Sequence, residues 1–188
     1  MSFVKLHRSH WIGGLVPYWE GEGTPRWLDA SSKIMNCVLA PIAKEKGYEY
    51  VETDIRPEAE GVRKLDLRLF DPTLGEFEIV TCSDTLEHID DYEAVLANLR
   101  RYCIGRCYLH VPALAMTPEQ FLARWEQPHQ KIDPTQNQHF HEWNFGAGAL
   151  MRDAAAARFG VRSCSIGMGD NTQCIGILLV LGDPDSYD

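Results

Sequence analysis

Many features that would place a chain quickly are missing from this one. No apolar run approaches the roughly 18 residues of a membrane span, and the opening segment MSFVKLHRSHW has no long apolar core, so neither membrane insertion nor secretion is expected. Lys and Arg do not cluster beyond Arg100-Arg101 and the scattered Arg152, Arg158 and Arg162. With a formal net charge of −9, the chain would repel a duplex nucleic acid. No Cys-x-x-Cys pair exists, and Cys103 with Cys107 has no second pair to complete a zinc site. The six cysteines lie instead in apolar stretches such as IVTCSD and QCIGILLV, as buried free thiols of a reducing cytoplasm do. Gly-x-Gly-x-x-Gly is absent, which argues against a nicotinamide-binding domain, and no Gly-x-Ser-x-Gly elbow is there to seat a hydrolase serine.

What 188 residues at 45% hydrophobic do offer is apolar surface for one core, hence one domain. Residues 1–24, rich in glycine and aromatics without a clear period, read as an irregular arm packed by Trp11, Tyr18 and Trp19. From there on strand and helix patterns alternate. RWLDA (26–30) is a short strand. Ser31 or Ser32 can cap a helix over 33–46, which Gly47 stops and Pro41 is expected to kink or divide. YEYVET (48–53) runs into Asp54, and 62–69 alternate like a strand before a turn at 71–75. EFEIVTCS (76–83) is almost continuously apolar, the pattern of a strand covered on both faces.

Residues 90–102 carry apolar side chains at 92, 95, 96 and 99, one helical face, with acids first and arginines last as the helix dipole favours. Gly105 opens a strand over 106–111, Thr117 caps a helix over 118–125, and an Ala-rich helix over 147–159 is stopped by Gly160. Two last strands, 161–166 and 174–181, lie across a turn at Gly169-Asp170-Asn171. The expected architecture is α/β: a doubly wound, mostly parallel sheet with a C-terminal antiparallel hairpin, in a single domain over 25–188.

In such sheets ligands lie at the carboxyl ends of the strands, and four of these ends carry acids: Asp29, Asp54, Asp66 and Asp84. The segment 77–112 is more specific. A hydrophobic strand runs into Leu86-Glu87-His88-Ile89 and Asp90-Asp91, then an amphipathic helix, a basic pair, a glycine-containing turn and a strand ending in Val-Pro. This succession resembles the fourth and fifth strands of the class I S-adenosylmethionine-dependent methyltransferases of the type 11/23 kind. The resemblance reaches back through EYVETDIRP and VRKLDLRLFD and forward to HFHEWNF, covering about residues 25 to 182.

The resemblance implies a Rossmann-like class I methyltransferase fold, S-adenosylmethionine as cofactor and a small-molecule or metabolite-like methyl acceptor. It assigns Asp54 to the ribose, Asp66 and Leu67 to the adenine and Asp84 to the methionine end of the pocket. His88 either faces the acceptor or packs at the start of its helix, and His110 is a second candidate base. The family places a Gly-x-Gly-like turn after the first strand; here Asp29, Ala30 and Ser31 stand there without a glycine. Their small side chains leave room for close approach, and the Ser31 hydroxyl can reach a methionine carboxylate. A lid is expected from the N-terminal arm, with Trp11 and Tyr18, and from an insert at about 113–144, with His139, His141 and Trp143.

His139-x-His141 with Glu142 lacks a distant third ligand and reads as structural or surface, so no metal is expected. The glycine-poor loop and the aromatics motivate a second reading, a catalytically inactive module of this fold that binds a protein partner or another ligand. Homo-oligomerisation is compatible with either.

Overall fold

Alternation of strand and helix patterns resolves, among the described residues, into one seven-stranded sheet in the order Arg63–Lys64, Glu49–Asp54, Arg26–Asp29, Phe77–Ser83, Cys103–Val111, Cys174–Gly182, Gly160–Met168, with a separate two-stranded ribbon of Gln130–Lys131 and Trp143–Asn144. The computed structural model describes residues 23–30, 33–113, 117–133, 141–168 and 174–185. Its elements are β1 (Arg26–Asp29), α1 (Lys33–Lys46), β2 (Glu49–Asp54), β3 (Arg63–Lys64), β4 (Phe77–Ser83), α2 (Tyr92–Tyr102), β5 (Cys103–Val111), α3 (Pro118–Ala123), β6 (Gln130–Lys131), β7 (Trp143–Asn144), α4 (Ala147–Ala156), β8 (Gly160–Met168) and β9 (Cys174–Gly182). Strands β1 to β5 pair in parallel, while β9 runs antiparallel to both β5 and β8. The sheet is thus doubly wound and mostly parallel, closed by an antiparallel hairpin, as expected.

Continuous apolar strands make sense once both faces are covered. Trp27, Ile79, Tyr108 and Leu178 meet Leu39 and Ala43 of α1 on one side. Leu28, Val80, Cys107, Leu109 and Leu179 pack with Val95, Leu96 and Leu99 of α2 and Leu150 and Ala154 of α4 on the other. The apolar positions 92, 95, 96 and 99 are all buried, so the helical period read from them is the packing face. Asp91 caps α2 by accepting from the Ala94 amide, and Thr117 forms a reciprocal capping box with Gln120 at α3. Cys82, Cys103 and Cys107 are buried free thiols, and burial pushes the Cys103 thiol up to about 12.

Several local expectations need correction. Pro41 does not divide α1: the helix runs unbroken over 33–46, with Pro41 on its exposed side, where water is at hand for the carbonyl that proline leaves unbonded. The strand over 62–69 shrinks to Arg63–Lys64, because Asp66 folds the chain back by accepting from the Arg68 amide while the Leu69 amide bonds to its carbonyl. Leu65 and Leu67 are buried from that turn rather than from a ladder.

Gly105 lies inside β5 instead of opening it. The register slips by one residue there, and a Cβ at 105 would stand 2.2 Å from the Glu78 carbonyl oxygen. The Ala-rich helix ends at Ala156, and the left-handed residue beyond it is Arg158, with φ of 66°, rather than Gly160, which begins β8. The turn at 169–171, the arm with Trp11, Tyr18 and Trp19, the caps Ser31 and Ser32, and His139 lie outside the described residues.

Candidate active site

The strand order reverses between β1 and β4, so the connections leaving their carboxyl ends go to opposite faces and open a crevice there. That crevice is a real cavity of about 280 Å³, lined among others by Ala30 after β1, Asp54 at the end of β2, Leu65, Asp66 and Leu67 after β3, Asp84 after β4, and His88. Six of the expected site residues therefore converge from four separate stretches of chain: Ala30, Asp54, Asp66, Leu67, Asp84 and His88.

Each wall is held by identifiable contacts. Asp54 is half-buried, and its Oδ1 accepts from the Arg56 amide at 2.6 Å, which fixes the carboxylate at the strand end. Asp66 is gripped by Arg68, whose guanidinium donates to both carboxylate oxygens at 3.0 and 2.7 Å; these hydrogen bonds hold the Asp66 carboxyl below its usual range. Leu67 is anchored through its carbonyl, which accepts from the Asn98 side chain of α2 at 2.9 Å. Asp84 sits at φ of 50°, a conformation non-glycine residues adopt sparingly, and is tied to β5 by its amide, which donates to the His110 carbonyl at 3.1 Å.

Two expected site residues stand behind the cleft. Asp29 is fully buried; one carboxylate oxygen accepts from the Thr81 hydroxyl at 3.0 Å and the other from the Tyr50 hydroxyl. Its carboxylate is committed to joining β1, β2 and β4. His110 is equally buried, with Nδ1 at 3.2 Å from Ser83 Oγ and 3.5 Å from Asp84 Oδ1. Its ring packs on Gly176, where an added Cβ would come within 2.1 Å of Nε2. Buried in the sheet, His110 lies beside Asp84 and is not among the residues lining the cleft.

At the outer rim, Leu86, Glu87 and His88 form a single 3₁₀ turn. The segment 141–143 is laid on that turn by two hydrogen bonds, from the Glu142 amide to the Glu87 carbonyl at 2.6 Å and from Trp143 Nε1 to the Ile89 carbonyl at 3.1 Å. His141 consequently meets His88 edge to face, with ring centroids 4.8 Å apart. Trp143, itself half-buried, packs edge-on against Tyr92, the first residue of α2.

Sequence reasoning missed Thr53, Ile55, Leu65, Arg68, Thr85, Ile89 and Asp90 as cleft residues. Neighbourhood to Asp54, Asp66, Asp84 and His88 in the chain was the available signal for all of them.

Residues 14–153 match a family model described as a methyltransferase domain. No curated protein matches the chain. The solved structure of the glycopeptide N-methyltransferase MtfA, complexed with S-adenosyl-L-methionine, superposes with a TM-score of 0.58 at 14% identity, over 88% of this chain and 90% of that one. The 1,6-didemethyltoxoflavin-N1-methyltransferase of Burkholderia thailandensis, with bound 1,6-didemethyltoxoflavin and S-adenosylhomocysteine, gives a TM-score of 0.63 at 17% identity over 86% and 72%. The N-terminal domain of EvdMO1, with S-adenosylhomocysteine bound, gives 0.56 at 16% identity over 86% and 75%. At these identities the likeness establishes a shared fold.

Proposed function

Because the chain belongs to the methyltransferase domain family, we propose that it transfers the methyl group of S-adenosylmethionine to a small-molecule acceptor, using the cleft at the β1/β4 reversal. The observation that carries this reading is the convergence of Asp54, Asp66, Leu67 and Asp84 on one cavity at the carboxyl ends of the strands. Relatives of the same fold that were solved with S-adenosylmethionine or its demethylated product support it.

The residues suit the cofactor's chemistry. A nucleoside needs an acceptor for its ribose hydroxyls, which Asp54 supplies, and an apolar slot for its base, which Ile55, Leu65 and Leu67 supply. Ala30 keeps the floor low where backbone must come close. Bound there, S-adenosylmethionine would bring a methyl already activated by its sulfonium, so the chain's task is alignment and exclusion of water. Asp84 would border the methionine end, with Ser83 and His110 holding its carboxylate. His88, whose side chain is about 40% exposed at the rim, is the group in reach of an acceptor that must lose a proton. The arm 1–24 and the insert about residues 113–144 would cover the acceptor.

Calorimetry of the full chain with S-adenosylhomocysteine tests the reading. Saturable one-to-one binding that weakens in Asp54→Ala is the expected result. Absence of detectable heat at millimolar ligand would overturn it and favour a non-catalytic module.

A further inference from the structure

The rim of the cleft holds a second constellation, assembled from distant parts of the chain. Glu87, His88 and His141 each offer one ligating atom, and these atoms all lie within 4.8 Å of one another. From this we infer that they form a binding site for a divalent transition-metal ion of the zinc class. His88 Nε2 stands 3.7 Å from Glu87 Oε1. Two donors sharing an ion at about 2.1 Å stand roughly 3 to 4 Å apart, so this pair has the required spacing.

Chemistry selects the ion. Two imidazoles and one carboxylate are a borderline donor set suited to Zn²⁺, Co²⁺ or Fe²⁺ and poorly suited to Mg²⁺ or Ca²⁺, which prefer oxygen. Glu87 is 1% exposed, so its carboxylate is fixed in place beside the two imidazoles. Three protein ligands leave coordination positions open, the arrangement of a working site rather than a closed structural one.

The local fold holds these ligands without the metal. Glu87 and His88 share a 3₁₀ turn, and the hydrogen bonds from Glu142 and Trp143 pin the backbone next to His141 onto that same turn. Because His88 also lines the cleft, an ion held there stands at the cleft's rim. It would polarise an acceptor hydroxyl: the oxygen loses its proton to solvent and takes the methyl, while the sulfur keeps the electron pair of the broken C–S bond. This role rests on the methyl-transfer reading; the binding of the ion does not.

The test uses the full, untagged chain stripped with a chelator and titrated with Zn²⁺ by calorimetry, and with Co²⁺ by visible absorption. One ion per chain is expected, with Co²⁺ bands of a four- or five-coordinate nitrogen–oxygen site. Affinity should fall at least tenfold in His88→Ala and in His141→Ala. Glu87→Gln should do the same; because that residue is buried, the two exposed-rim histidine variants carry the test if it fails to fold. His129→Gln, outside the cluster, should bind as the parent does. Binding without one-to-one stoichiometry, or unchanged affinity in both His88→Ala and His141→Ala, overturns the site. S-adenosylhomocysteine titrated in parallel separates the readings: ligand without zinc sinks the ion site alone, and zinc without ligand sinks the cofactor assignment alone.

Discussion

Replacing Thr81 by valine should cost far more than its size implies. Thr81 Oγ1 accepts from Trp27 Nε1 at 3.0 Å and donates to Asp29 Oδ1 at 3.0 Å, and all three residues are fully buried. Valine keeps the branched shape, so no cavity opens; what is lost is the hydrogen bonding alone. An orphaned indole N–H costs about 1–3 kcal/mol and a carboxylate oxygen that loses its donor a similar amount, giving a total of roughly 2–6 kcal/mol. Against a domain stability of about 5–15 kcal/mol that is a large fraction, and for a chain of this size it lowers the melting temperature by roughly 4–24 °C.

Urea unfolding followed by circular dichroism reads the change, with the midpoint moving and the slope constant. Tyr50→Phe removes the other donor to the same carboxylate. The double mutant should therefore depart from additivity by more than about 0.5 kcal/mol, as residues in one network do. A loss below about 0.5 kcal/mol for Thr81→Val would refute the claim that Asp29 is held by a committed internal network. Affinity for S-adenosylhomocysteine should fall alongside stability, since Asp29 sets the strand end next to Ala30.

Asp54→Ala should weaken S-adenosylhomocysteine binding by about 1–3 kcal/mol with the fold intact, because a charged acceptor is taken from two hydroxyl donors; unchanged affinity in a folded variant would reduce Asp54 to a turn residue. Gly105→Ala should destabilise by more than about 1–3 kcal/mol, since its Cβ would meet the Glu78 carbonyl at 2.2 Å and backbone must move; a variant as stable as the parent would contradict that close approach. Burial holds the His129 imidazole below its ordinary value, and its neutral form fits its contacts, with Nε2–H donating to Asp153 at 2.8 Å and Nδ1 accepting from the Gly146 amide at 3.2 Å. The unfolded chain thus binds this proton more tightly, so stability from His129 is complete above about pH 6.5 and declines as pH falls below it. Urea midpoints at pH 7.5 and 5.5 should converge in His129→Gln relative to the parent, and an unchanged difference would remove His129 from the account.

Local chemistry was enough for the sequence alone to determine the alternating α/β pattern, the buried face of α2 and the caps at Asp91 and Thr117. Periodicity and capping involve residues within a few positions of one another. The same holds for the acids that end β2 and β4, because a parallel sheet places every strand's carboxyl end on one edge. What needed tertiary structure were the relations between remote segments. Asp29 and His110 look like site residues in one dimension, yet the sheet turns both inward, toward Tyr50 and Thr81 in one case and Ser83 in the other. Gly105 looks like a turn, and only the neighbouring strand reveals a close approach. His141 lies beside Glu87 and His88, more than fifty residues earlier in the chain, and the hydrogen bond between the Glu142 amide and the Glu87 carbonyl brings these segments together. Side-chain identity limits what a residue can bind, and packing decides which neighbours it meets.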